Sequence, residues 1–253
     1  MRRAFTLLEM TVVLAIIALL THLAVRELGA YRDAKLAKAA DRQLEEIRES
    51  AKRFFDDVGR LPRLQPQTNA VGEVVWTLSE LWKKPSSLNS RRLVEEDGVT
   101  LAVGWNGPYL KLPFGRERLL DPWGNSVELE DSAGLTRLWA AGDKTLTNVC
   151  HYGASAQEFG RRDISLVPDG GLFADLILTV DAGAYSGDVK CSWYGAYENA
   201  VTNATASPVV SGSQIVFRKV PCGRRIVKIT TDKTSVRLVN VTGPVTEIAI
   251  KVQ

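Results

Sequence analysis

A chain of 253 residues, 45% hydrophobic and 24% charged, has room for one large or two modest domains and the make-up of an ordinary globular protein. Its net charge of +3 gives no basis for a nucleic-acid or acidic-substrate partner, and two histidines leave little material for a zinc site or histidine-based catalysis. Three cysteines, Cys150, Cys191 and Cys222, are too few for a disulfide-built fold and lack metal-ligand spacing.

The chain opens MRRAFTLLEMTVVLAIIALLTHLAVRE. Residues 5–25 form an apolar run that, as a helix, covers about 30 Å, the thickness of a bilayer core. Arg2 and Arg3 ahead of it place the N-terminus on the cytoplasmic side and everything after it outside. Glu9 is the anomaly, because a carboxylate in hydrocarbon costs about 2–3 kcal/mol or more and so has a partner and a purpose. Three readings fit the run. A secretory signal would need cleavage after Ala24, with His22 at the other small-residue position; a plain anchor leaves Glu9 unexplained.

The third reading comes from a resemblance. Ala4-Phe5-Thr6-Leu7-Leu8-Glu9 resembles the type IV prepilin signature, a small residue followed by F-T-L-x-E and an apolar run; the family usually has glycine where Ala4 stands. The resemblance implies that residues 1–4 are a leader, that a prepilin peptidase cuts between Ala4 and Phe5, and that the new Phe5 amine is methylated. The span 5–25 is then retained, and Glu9 acts in assembly. A carboxylate one turn along a helix neutralises the amine of a neighbouring subunit when two helices pack with a stagger, which removes much of the cost of both charges in low dielectric.

Beyond the span, Ala37, Ala40, Leu44, Ile47, Ala51, Phe54 and Val58 recur at steps of three and four, one face of a helix. Charges of both signs fill the other faces, with Glu49 and Arg53 at supporting spacing. The long helix is expected over 5–58, its half from 26 to 58 amphipathic, with Gly59 and Pro62 as the stop.

Residues 59–167 read as a small head. WTLSELWKK (76–84) suggests a short helix closed by Pro85, GWNGPYL (104–110) and LLDPWGNSVEL (119–129) carry turn chemistry, and 126–130 and 135–140 read as two antiparallel strands. In this order, after a prepilin start, residues 4–166 resemble the major pseudopilin of type II secretion systems. Leu61 and Ser126 depart from that family's aromatic and proline. The family's last loop commonly binds calcium, and the resemblance makes Asp143 and Asp163 the candidate ligands, with Arg162 in a slot often acidic.

Pro168-Asp169-Gly170-Gly171 reads as a hinge, after which six short β-rich runs argue an all-β, sandwich-like domain over 168–253. Val220-Pro221-Cys222-Gly223-Arg224 is similar to the V-P-x-G turn of carboxypeptidase-regulatory-like and transthyretin-like modules, which implies a structural or adhesive role. Cys191 and Cys222, on different expected strands, are a candidate disulfide outside the cytoplasm. The doublets Arg91-Arg92, Arg161-Arg162 and Arg224-Arg225 read as solvated surface, and the N-x-T strings at Asn203 and Asn240 as incidental in a prokaryotic protein.

The expected fold is α+β: a long helix on a small antiparallel head, followed by the β-domain. The resemblance implies a non-catalytic subunit, single-pass in the bacterial inner membrane with its soluble domains in the periplasm. It would polymerise with copies of itself and other pseudopilins into a type II secretion pseudopilus, on an inner-membrane platform driven by an ATPase. A minor type IV pilin with an adhesive C-terminal domain is the alternative. An anchored enzyme is disfavoured, because the sequence holds no nucleophile elbow, paired-histidine metal motif or phosphate loop.

Overall fold

The computed structural model describes residues 7–252 apart from 69–71, 73, 114, 117, 133–134, 141–161, 168–170, 182, 184, 186, 199 and 210–213. Helix α1, Leu7–Val58, runs 52 residues, about 78 Å. Neither proline nor glycine interrupts it from 31 to 58. It stops at Gly59, whose φ of +79° suits a residue without Cβ and whose N–H donates to the Phe55 carbonyl at 2.7 Å.

Among the described residues, the head carries two hairpins and a three-stranded sheet, all antiparallel. The hairpins are β1 (Gln65–Thr68) with β2 (Val74–Thr77), and β3 (Arg92–Glu96) with β4 (Val99–Val103). The sheet runs β5 (Glu128–Ser132), β6 (Leu135–Ala140) and β7 (Arg162–Ser165). Ala40, Leu44, Ile47, Ala51, Phe54 and Val58 of α1 form one buried cluster with Leu138 and Ala140 of β6 and with Leu78, Leu81, Leu110 and Leu166.

The helix expected over 76–84 is instead the end of β2 and a single 3₁₀ turn, Ser79–Leu81. The Glu80 carbonyl accepts the Trp105 indole N–H, and the Leu81 carbonyl accepts the backbone N–H groups of Tyr109 and Leu110. Those acceptors hold the GWNGPYL loop rather than a following helical turn. In the second turn motif, Asp121 Oδ1 accepts the N–H groups of Trp123 and Asn125, closing the loop as an Asx turn does.

Among the described residues, the C-terminal part is a seven-stranded sandwich. Its strands are β8 (Phe173–Asp181), β9 (Val189–Tyr197), β10 (Ala200–Val209), β11 (Gln214–Pro221), β12 (Gly223–Thr230), β13 (Thr234–Val241) and β14 (Val245–Lys251). One sheet is ordered β10-β9-β12-β13 and antiparallel throughout; the other is ordered β11-β8-β14, with β14 parallel to β8. The alternation of β8 puts Ala174, Leu176, Leu178 and Val180 into the interior, where they meet Trp193, Phe217, Val227, Ile229 and Ile250. The protein is therefore α+β with a large β part.

The outer face of the four-stranded sheet is covered by the head. Leu101 and Val103 of β4 bury Ala196 of β9 and Ile226 of β12, with Val94, Val99 and Tyr194 at the margin. Lys228 on β12 reaches the carboxylates of Glu96 and Asp97 at the tip of the β3–β4 hairpin, each at 3.0 Å. Those two hydrogen bonds raise the ammonium's pKa above its ordinary value.

Candidate functional site

The N-terminal segment is built for contact with something other than water. Met10, Val12, Val13, Leu14, Ile16, Ile17, Leu19, Leu20 and Leu23 are each at least 44% exposed and lie on all sides of α1. Two polar side chains in this stretch fit such surroundings. The Thr21 hydroxyl donates to the Ile17 carbonyl at 2.7 Å, so it brings no unsatisfied donor into an apolar medium. Glu9 lies in the first turn of the helix, where the helix dipole favours a negative charge, and its surface is exposed.

Among the described residues, no helix is long and apolar enough to cross a membrane. The continuous stretch of described side chains within the expected span is 9–23, which at helical rise reaches about 22 Å against the ~30 Å of a bilayer core. The remainder of 5–25 lies outside those side chains, as do Ala4 and Phe5, the expected cleavage and methylation positions.

The expected calcium ligands are not brought together in what is described. Asp143 lies outside the described residues. Asp163 is exposed on β7, with a carboxylate oxygen 3.6 Å from the Arg137 guanidinium on β6. Among the described residues, no three His, Cys, Asp or Glu side chains converge as metal ligands.

The expected disulfide is corrected by the strand register. Cys191 on β9 pairs in register with Ile229 on β12, whereas Cys222 sits just before the start of that strand. Seven residues of extended chain, about 23 Å, separate the two positions, and a disulfide needs Cα atoms within about 7 Å. Both thiols are free. Cys191 is packed in the sandwich core, where burial pushes its thiol up to about 11, and Cys222 points its Sγ at the Gly171 carbonyl, 3.7 Å away.

A cluster that the sequence reading missed gathers at the far end of α1. Arg225, read as solvated, is fully buried, while Arg224 is exposed; strand alternation separates the doublet. The Arg225 guanidinium donates from Nε to Pro221 O at 2.9 Å, from Nη1 to Arg224 O at 2.7 Å and from Nη2 to Cys222 O at 2.6 Å. It thereby holds the whole Pro221–Arg224 turn, and it lies so close to Gly195 that a Cβ there would overlap it. Burial lowers its pKa to about 10, with Asp56 on α1 opposing that shift.

Asp56 and Asp57 both lie in the last turn of α1, where the helix dipole disfavours carboxylates. Burial raises both pKa values; Arg225 opposes the rise at Asp56, and the Tyr109 hydroxyl, donating to Asp57 Oδ2 at 3.0 Å, opposes it at Asp57. Nearby, buried Glu80 takes two hydrogen bonds from Arg60, one from the Arg63 N–H and one from Gln65. These groups are all held by one another and by the backbone. They tie the end of α1 to the head through Tyr109 and to the sandwich through Arg225.

Neither the comparison with curated proteins nor that with solved structures finds a match. Residues 1–25 match the family pattern described as a prokaryotic N-terminal methylation motif. That motif is the prepilin-type one; it implies processing by a prepilin peptidase, a membrane-anchored N-terminus and assembly into pilin-like polymers, and it supports a type IV pilin-like protein.

Proposed function

We propose that this chain is a structural subunit of a periplasmic type II secretion pseudopilus, cut before Phe5, methylated there, and held in the bacterial inner membrane by the apolar part of α1. The observation that carries the reading is the methylation motif over 1–25, continuous with a 52-residue helix whose outer half buries its stripe in the head. The ordered turns GWNGPYL and LLDPWGN favour a secretion pseudopilin over a pilus subunit. Its partners are the prepilin peptidase, other pilin-like chains, and an assembly platform with its ATPase. The chain catalyses nothing on this reading.

Glu9 supplies the carboxylate that meets the methylated amine of a neighbour, because neither charge is stable alone in low dielectric. The test is the N-terminus of the membrane-bound protein together with the behaviour of Glu9→Ala. A mature chain beginning at N-methylated Phe5, and a variant that inserts and folds but does not enter filaments, are the expected results. A chain beginning near Val25, or normal incorporation of Glu9→Ala, would overturn the reading.

A minor type IV pilin is the second reading, favoured by one observation: the complete sandwich appended to the head. A surface-exposed filament containing this chain would select it.

A further inference from the structure

The β3–β4 hairpin closes through Asp97 and Gly98, both at positive φ (45° and 81°), a two-residue turn of type I′. Such a turn makes its flanking residues, Glu96 and Val99, a hydrogen-bonded pair, and the pairing alternates from there. Val99, Leu101 and Val103 therefore bond to β3, whereas the N–H and C=O groups of Thr100 and Ala102 point the other way. Among the described residues, no strand pairs with that edge and no hydrogen bond reaches those four groups. Two residues beyond Ala102 the chain meets α1, where the Gly104 N–H donates to the Asp57 carbonyl at 2.7 Å. Between edge and helix lies a groove of about 480 Å³, with residues 100–102 on one side and Asp56 and Asp57 on the other. Arg224 and Leu238 of the sandwich line it as well.

An open edge of this kind is a template for another strand, and proteins commonly blunt theirs with charge, proline or a bulge. Strand β3 carries Arg92, Glu95 and Glu96, and the registers of β10 and β11 are interrupted. Strand β4, VTLAV, has none of these devices. Its free backbone groups sit on two residues about 7 Å apart, the repeat that a neighbouring strand matches. Leu101 turns toward the sandwich, so a residue laid beside it turns the same way, onto Leu238, which is 47% exposed. The carboxylates in the groove are engaged, Asp57 by the Tyr109 hydroxyl and Asp56 by the charge of Arg225. Arg53 donates to the Tyr109 carbonyl. Arg224, exposed at the groove, favours an incoming carboxylate.

We propose that the free edge of β4 is a docking site for an extended segment of another protein chain, which adds a third strand to the β3–β4 hairpin. Main-chain bonds to Thr100 and Ala102 set its register. An apolar side chain on Leu238 and an acidic one near Arg224 set its selectivity. The segment is held where α1, head and sandwich meet, and this interaction does not depend on the filament role.

The test uses the full-length, nitrogen-15-labelled chain in detergent micelles and the synthetic peptide acetyl-TVTETVT-amide, whose valines and glutamate share one face. Amide hydrogen exchange is followed by NMR. In the free protein the Leu101 and Val103 amides are expected to exchange slowly and those of Thr100 and Ala102 fast. Millimolar peptide is expected to slow Thr100 and Ala102 by about tenfold or more; the same peptide methylated at its backbone nitrogens should have no effect. Ala102→Pro removes a free-edge N–H and keeps the pairing with β3, so it should abolish the response. Leu93→Pro, opposite it on the far edge, should not. Slow exchange at Leu101 and Val103 in both variants shows that the hairpin has folded. Arg224→Ala should weaken binding roughly tenfold. Protection of Thr100 and Ala102 without peptide, none at millimolar peptide, or a response lost with Leu93→Pro and kept with Ala102→Pro overturns the proposal. Protection that rises with the concentration of the protein alone also overturns it, by identifying a second copy as the occupant.

Discussion

Arg225 holds three carbonyl oxygens of one turn while its charge faces Asp56 across the junction. Replacing it with methionine keeps the aliphatic stem but strands those carbonyls, so Arg225→Met is expected to destabilise the protein by about 3–5 kcal/mol. Arg224→Ala, one residue away and exposed, is expected to stay within about 0.5 kcal/mol; chemical denaturation of the two variants measures the contrast. Asp57 gives a pH prediction. Its folded pKa lies above the ordinary 3.8, so the folded state holds the proton more tightly. The associated stability is fully present below pH 3.8 and is lost as pH rises through the raised folded value. Asp57→Asn, which still accepts from Tyr109, is expected to flatten that fall in denaturation midpoints measured from pH 4 to 7. The doublet at 224–225 was legible only as two charges; which of them turns inward depends on the register of β12, and that register is set by neighbours far along the chain.

At the scale of elements, the long helix and its stop were legible because an unbroken three-four stripe meets Gly59. That glycine is also where the chain crosses Ala196. Gly59→Ala places a Cβ on that backbone at positive φ, and the expected result is loss of the helix–sandwich contact, seen as a lower Tm and proteolytic release of the sandwich. Strand β10 was missed because AVTNATASPV has neither aromatic residues nor clean alternation, and as a sheet edge it has a neighbour on one side only. The 76–84 segment was misread for the opposite reason. Its pattern suits a short helix, but its carbonyls are claimed by Trp105 and Tyr109, more than twenty residues away. Local pattern identifies an element when the element satisfies its own backbone, and it fails when a distant loop does so instead.

At the scale of the molecule, head and sandwich share buried Leu101, Val103, Ala196 and Ile226. Calorimetry is therefore expected to show one unfolding transition; Leu101→Ala should split it in two, the sandwich and head then melting separately. The hinge read at 168–171 suggested independent domains, and nothing in the sequence of β3–β4 announced that it covers a second sheet. The prepilin-type motif, by contrast, is wholly local: residues 1–25 carry it in the sequence itself, with no distant neighbour needed to complete it.

The parallel pairing of β14 with β8 sets a clock on this protein's maturation. Val245 lies beside Asp175, seventy positions later in the chain, and five intervening strands must find their places before that pairing completes the sheet. Contacts of such long range form slowly. The helix and head can be ready while the sandwich is still searching, so the rate at which complete chains appear is governed by its slowest-closing strand.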